Sequence, residues 1–354
     1  MHTFKINYWF LSSLFISCFV CIPLIVIGTS LFQDVSGYYQ LLGETYVYTY
    51  IANTLLVLTG VLVLTFVFGV GAAYLTSFYQ FPGSTFFTWA LILSFAVPSY
   101  IYAYSLTAFF GYFGNLYSFL TYLFGPSDYH TLIPKVDGLL GSILSMSFSL
   151  FIYVYLITRA SFIYQSQNLV DAGKIMGFSN YQTFKKIIFP SARPGIVVGL
   201  SLVAMESISD FGTVSFFNIQ TLTTAIYDSW IIFDDIATAY QLSFFLIIIV
   251  LIFFWLERMS RSRSKFYMPT RGYEAINKIK LQGTSAAYAT AFCLLLFTCS
   301  FLFPISQILL WVIQFPDNIH LAQLIKLSVN TVSIVILTTL CLIVLAFFTN
   351  YGMR

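Results

Sequence analysis

The chain has 354 residues, 59% of them hydrophobic and only 8% charged, with a formal net charge of +3. A soluble domain carries about a quarter charged residues, so this chain lacks the polar groups to cover a water-exposed surface. The small net charge does not suggest a nucleic-acid partner. A helix that crosses the hydrocarbon core needs roughly 20 apolar residues. The apolar runs predict eight such helices, over 9–32, 50–77, 86–112, 139–161, 195–217, 240–257, 285–312 and 327–350. The expected fold class is an all-α integral membrane protein.

The first run outlasts the apolar core of a signal peptide and has no small-x-small cleavage site, so it reads as a retained anchor. It contains Cys18 and Cys21 at C-x-x-C spacing. Without a second pair or a nearby histidine, these read as small apolar residues rather than a redox or metal site. Cys293, Cys299 and Cys341 also fall within predicted spans, and His2, His130 and His320 have no metal-ligand spacing. With the N-terminus cytoplasmic, all but Lys135 and Lys326 of the 16 lysines and arginines lie on or near the inner side. The positive-inside rule therefore sets a multi-pass topology with a cytoplasmic N-terminus. The outer loops then hold Asp34, Glu44, Asp128, Asp137 and Asp317.

Between the fourth and fifth spans, the cytoplasmic loop 168–196 reads NLVDAGKIMGFSNYQTFKKIIFPSARPGI. A short helix over 170–176 is expected to stop at Gly177, where a left-handed turn favours glycine. Ser179 and Gln182 have capping-box spacing for a second short helix. That helix would present Phe184, Ile187 and Ile188 on one face, carry Lys185 and Lys186 near its C-terminus, and end at Pro190 and Pro194. Two short helices joined by a glycine and tied to a span make a mechanical knob. The alternative is an amphipathic connector lying on the membrane surface.

These residues resemble the coupling loop of ABC importer permeases, whose pattern runs Glu-Ala-Ala, three residues, Gly, then a Pro thirteen residues on. Here the pattern appears as Asp171-Ala172-Gly173, Gly177 and Pro190, with Phe184 also in place. Asp171 replaces the usual Glu and Gly173 the second Ala. The resemblance implies a type I importer permease fold and a loop, 168–194, that docks on a separate cytoplasmic ATP-binding subunit. ATP and Mg would be bound by that partner, and no cofactor by this chain.

The fifth span places Glu206 and Asp210 four residues apart, which on a continuous helix stacks them on one face about 6 Å apart. Counting from Gly195, Glu206 lies roughly 16 Å into the span. A carboxylate at that depth is costly unless it meets water, a partner or a ligand. The alternative is that both are neutral or hydrogen-bonded packing residues. The stretch 204–230, AMESISDFGTVSFFNIQTLTTAIYDSW, is similar to ferric-iron importer permeases in its Glu206, Asp210-Phe211-Gly212 and Gln220-to-Tyr227 run. The resemblance implies Fe(III) as cargo, delivered by a periplasmic substrate-binding protein. Glu206 and Asp210 would be transient oxygen ligands, and Ser207, Ser209 and Thr213 would line the path. No catalytic constellation or nucleotide-binding Walker A motif is present in the sequence.

A basic run, Arg258 to Lys280, follows the sixth span and reads as a linker, with a lipid-headgroup or nucleotide contact as the alternative. The eighth span then repeats the Asn-Thr dipeptide of the second. Asn330-Thr331 follows Asn53-Thr54 by 277 residues, each near the outer mouth of its span. The repeat suggests two homologous halves. The expected division is a first permease half over 1–257 with six helices, a linker over 258–283, and the start of a second half over 284–354. On this reading the second half is incomplete at Arg354, the chain being either a fragment or a short form. The expected setting is a bacterial inner membrane, with lipid as a partner. Rival cargoes are thiamine, a polyamine or a phosphonate. The rivals from other classes are an ion-driven secondary transporter and a membrane-embedded enzyme.

Overall fold

A computed structural model of the chain describes residues 8–32, 46–129, 131–164, 167–262, 277–316 and 320–352. Lys5, Arg263, Lys265, Arg271 and Arg354, with much of the expected 258–283 linker, lie outside these residues. So do His2, His130, Asp34, Glu44 and Asp317. Among the described residues, seven helices are long and apolar enough to cross a membrane, and a further pair is bent by 92°.

The chain divides into two compact units. One comprises residues 36–308, and the other residues 1–35 with 309–354. In the larger unit the longest helix is α2 (Val47–Phe78), which follows α1 (Tyr8–Thr29) of the smaller unit. Next come α3 (Ser84–Ala90), continued as a 3-10 turn over Leu91–Ala96, then α4 (Ser99–Phe110), α5 (Asn115–Phe124) and α6 (Gly138–Tyr164). The knob region holds α7 (Gln167–Ile175) and α8 (Asn180–Thr183), after which a π-helical turn over Phe184–Ile188 leads into α9 (Phe189–Ser209). Short α10 (Gly212–Phe216) and α11 (Leu222–Tyr227) precede α12 (Ile236–Ser262). Last are α13 (Gly283–Phe297), α14 (Phe303–Gln314) and α15 (Leu321–Gly352), with α15 packed on α1 in the smaller unit.

The centre of the larger unit is the packing of α2, α6 and α9. Lipid tails are as apolar as the side chains, so close contact rather than water exclusion must hold these helices together. Gly69 allows that contact, since a Cβ there would sit 2.6 Å from Val154 Cβ and 2.9 Å from the Phe151 carbonyl. Val61, Phe151, Val154, Tyr155 and Val203 fill the core around it.

Two expected spans are corrected. The run 86–112 is not one straight helix, because it turns at Val97–Pro98. Proline has no N–H and pushes the residue before it out of the helical region, and Val97 is extended (φ −110°, ψ 101°). Its carbonyl accepts a 2.7 Å bond from Ser149 Oγ instead of a helical one. The run 195–217 is displaced: α9 starts six residues earlier at Phe189 and stops at Ser209, where Asp210 leaves the helix (ψ 109°). Pro190 and Pro194 do not end the helix before α9. The π-helical turn closes with the Phe189 N–H on the Phe184 carbonyl, so Pro190 enters α9 in its first turn, where no N–H is required.

At one end, Tyr79–Gln80 (β1) pairs in parallel with Ile279–Lys280 (β2). Lys278 Nζ donates to the Thr76 carbonyl at 2.7 Å, a cation on the last turn of α2. Burial, and next the charge of Arg159, lower the Lys278 pKa from its usual value. Among the described residues, this end gathers Arg159, Lys278 and the knob, and is here termed the basic end.

Candidate functional site

The knob forms much as its sequence suggests. Helix α7 stops at Gly177, whose φ is +74°. The Phe178 N–H bonds the Gly173 carbonyl at 3.0 Å and the Gly177 N–H bonds the Lys174 carbonyl at 2.9 Å, the paired bonds of a Schellman stop. The Met176 N–H reaches the Ala172 carbonyl. Ser179 and Gln182 complete the capping box in both directions, at 3.3 and 3.1 Å. Gly173, the departure from the alanine expected by resemblance, has a packing reason. A Cβ there would lie 2.6 Å from Thr183 Cγ2, so alanine would force α7 and α8 apart.

Aromatic packing anchors the knob. The Phe184 ring lies 4.1 Å from Tyr74, 6.2 Å from Phe162 and 5.8 Å from Phe189, joining α2, α6 and α9. Ile188 is buried and Lys185 and Lys186 are exposed, as the amphipathic pattern requires. Asp171 pairs with Lys174 at 3.3 Å, and Lys186 lies 4.6 Å over the Phe178 ring. Three large apolar side chains are also uncovered: Ile175 is 86% exposed, Tyr181 68% and Met176 56%.

The other end contains the two helix breaks, and they are tied together. Asp210 accepts bonds from Ser99 Oγ (2.5 Å), Thr213 N–H (2.7 Å) and Thr213 Oγ1 (2.8 Å). Asp210 thus starts α10 and joins the bend after Pro98 to the break after Ser209. Thr223 Oγ1 covers the Ile208 carbonyl at 2.7 Å, one of those left open where α9 ends. Thr221 and Thr224 cap α11 reciprocally, and Phe211 stacks on Tyr227 at 4.1 Å.

Glu206 and Asp210 therefore do not share one helix face, since the helix ends between them. Glu206 is exposed on α9, Ser209 is exposed and bonded to the Met205 carbonyl, Ser207 is buried against Met146 Sδ, and Thr213 is fully buried. Among the described residues, no group of three or more His, Cys, Asp or Glu side chains gathers to hold a metal. Sequence reasoning missed Ser99, Thr223 and the role of Asn53-Thr54. Asn53 Nδ2 donates to the Gln220 carbonyl at 2.9 Å, and the Leu222 N–H donates to Thr54 Oγ1 at 3.0 Å. Pro98 was the sequence signal for the first break; nothing local signals the partners of the others.

Comparison with known proteins matches residues 65–265 to the family described as binding-protein-dependent transport system inner membrane component. The Fe(3+)-transport system permease protein FbpB 2 of Haemophilus influenzae is 26% identical over 222 residues, covering 63% of this chain and 39% of that protein. The sulfate transport system permease protein CysT of Salmonella typhimurium is 25% identical over 150 residues, covering 42% of this chain and 51% of that protein. A Salmonella typhimurium protein named for 2-aminoethylphosphonate transport is 25% identical over 193 residues, covering 53% and 66%. Among solved structures, a bacterial alginate ABC transporter in complex with its alginate pentasaccharide-bound periplasmic protein shares the fold. Its TM-score is 0.55 at 17% identity, over 73% of this chain and 96% of that one.

Proposed function

Because this chain belongs to the binding-protein-dependent transport system inner membrane component family, we propose that it carries Fe(III) inward as the permease of an ATP-driven importer. It is an ABC importer permease with an all-α, multi-pass fold. The observation that carries the reading is the knob: a capped pair of short helices, fixed through Phe184 to three long helices, with Ile175, Met176 and Tyr181 uncovered. A cytoplasmic ATP-binding subunit would close around it. The rigid support would pass that motion to α2, α6 and α9, and so to the breaks at Pro98 and Asp210. A periplasmic substrate-binding protein would deliver cargo at the far end, with the N-terminus in the cytoplasm.

The cargo reading is supported by Glu206. Asp210 is engaged by Ser99 and Thr213, which leaves Glu206 as the exposed carboxylate of the pair. A hard trivalent cation suits carboxylate oxygen, whereas sulfate or a phosphonate would be repelled by the same group. Radiolabelled ferric-iron uptake in cells carrying the whole system tests this. Uptake that needs ATP, falls with Glu206→Gln and is untouched by excess sulfate supports the reading. Uptake of sulfate in place of iron overturns the cargo, and uptake that survives ATP depletion but collapses with an uncoupler overturns the importer mechanism.

A further inference from the structure

The basic end gathers cations that no described carboxylate balances. Arg159 stands near the end of α6, one turn beyond Tyr155, and its Nε is buried with no hydrogen-bond partner among the described residues. Neither Arg159 nor Lys278 is paired with a carboxylate among those residues. Thr76 brings the two together. Its carbonyl accepts from Lys278 Nζ at 2.7 Å, and its hydroxyl lies 3.4 Å from Tyr155 Oη. An ammonium has three N–H groups, and this bond uses one of those on Lys278. Lys280, two residues on, is exposed. A buried guanidinium N–H without an acceptor is costly, and gathered like charges repel one another, so the arrangement suits an anion.

Two apolar grooves open at the same end, both bounded by Leu281. One, of about 670 Å³, runs from Pro82 along α13 past Ala286, Ala287, Thr290 and Leu294. The other, of about 400 Å³, is walled by Tyr74, Tyr79, Tyr288 and Ala289. From Gly283 to Leu294 the first groove follows α13 for roughly 16 Å, about half the hydrocarbon core and so the depth of one leaflet. Leu281 follows Lys280 directly, and its N–H donates to the Gln80 carbonyl at 2.9 Å. The β1–β2 pair therefore holds the cations and the grooves in one frame. A carboxylate from a protein partner would meet the cations and leave the grooves uncovered, whereas a two-chained lipid meets both.

We propose that Arg159, Lys278 and Lys280 hold the headgroup phosphate of an anionic phospholipid whose acyl chains lie in the two grooves beside α13. Basic pockets at the membrane surface select anionic headgroups by charge, and the grooves select a molecule with apolar chains attached.

The test places the full-length protein in phosphatidylcholine nanodiscs with phosphatidylglycerol that carries a photoreactive diazirine in one acyl chain. Adducts are mapped by mass spectrometry. They are expected between Ala286 and Leu294. Labelling should fall about tenfold when Arg159→Gln is combined with Lys278→Gln, or when the probe is phosphatidylcholine with the same diazirine chain, and Lys278→Arg should retain it. Ala287→Trp, at an exposed position, fills the larger groove and leaves the cations in place, so its loss of labelling does not depend on how the charge variants fold. Equal labelling by both lipids, or labelling undiminished in Ala287→Trp, overturns the proposal. Thermal stabilisation of the detergent-solubilised chain by inorganic phosphate equal to that by phosphatidylglycerol would show a bare anion site and overturn the lipid. Carbodiimide crosslinking of Lys278 or Lys280 to a carboxylate of a captured subunit would overturn it in favour of a protein partner.

Discussion

Helices α2 and α15 are the same length, equally apolar in appearance and marked by the same dipeptide, yet their surroundings differ completely. In the most apolar stretch of α2, 39% of residues are buried, and in that of α15 none are. α2 is enclosed by α6, α9 and α11 and gripped by the 218–222 segment, whereas α15 meets α1 on one side. The difference shows that membrane-helix length is a property of the segment, while burial is decided by what other elements bring to it. Asn53 and Asn330 are chemically identical, and among the described residues only Asn53 has a carbonyl to hold.

Substitutions that act on α2 and not at the matching place on α15 sharpen the comparison. The largest effect is expected at Gly69, where Val would drive into Val154 and the Phe151 carbonyl. Overpacking at such a contact costs about 3 kcal/mol, measurable as lost thermal stability of the purified chain in detergent. Ala346, at the same offset on α15 and exposed, should accept Val with less than about 0.5 kcal/mol of change. Next, Asn53→Leu with Thr54→Val removes both grips on the 218–222 segment. It should cost about 2 kcal/mol and raise hydrogen exchange at Leu222, whereas the matching changes at Asn330 and Thr331 leave the stability of the purified chain unchanged. Equal losses at both helices would break the comparison.

Asp210→Ala leaves the Thr213 N–H and Ser99 without their acceptor and should cost about 1–3 kcal/mol. Glu206→Gln, on an exposed position, should leave stability unchanged and act on uptake alone. Ser179→Ala should cost about 1 kcal/mol by removing the capping box, read as increased exchange in α8.

Much of this was legible in the sequence, for identifiable reasons. Apolar length announces membrane helices, and glycine, serine and glutamine at fixed spacing announce a stop and a capped start, so the knob could be read locally. The break at Ser209 could not. Asp210 leaves the helix because Ser99, from 111 residues earlier, and Thr213 supply its hydrogen bonds, and no window of sequence contains that partnership. The i, i+4 spacing of Glu206 and Asp210 is a helical argument, and it failed where the helix ended. The proline-rich start of α9 misled for the opposite reason. Pro190 stands in the first turn of α9, where no N–H is required, and Pro194 lies inside the helix, so helix continues where a local rule stops it.

Under the proposed function, residues 171–190 connect this permease to an ATPase. Affinity capture from membranes expressing the whole system tests it most directly, comparing wild type with Ile175→Glu, which alters an 86% exposed side chain, and with Gly177→Pro, which destroys the stop at φ +74°. The account predicts an ATPase subunit with wild type and its loss from both variants. Capture undiminished in both variants, or no ATPase with folded wild type, would contradict it.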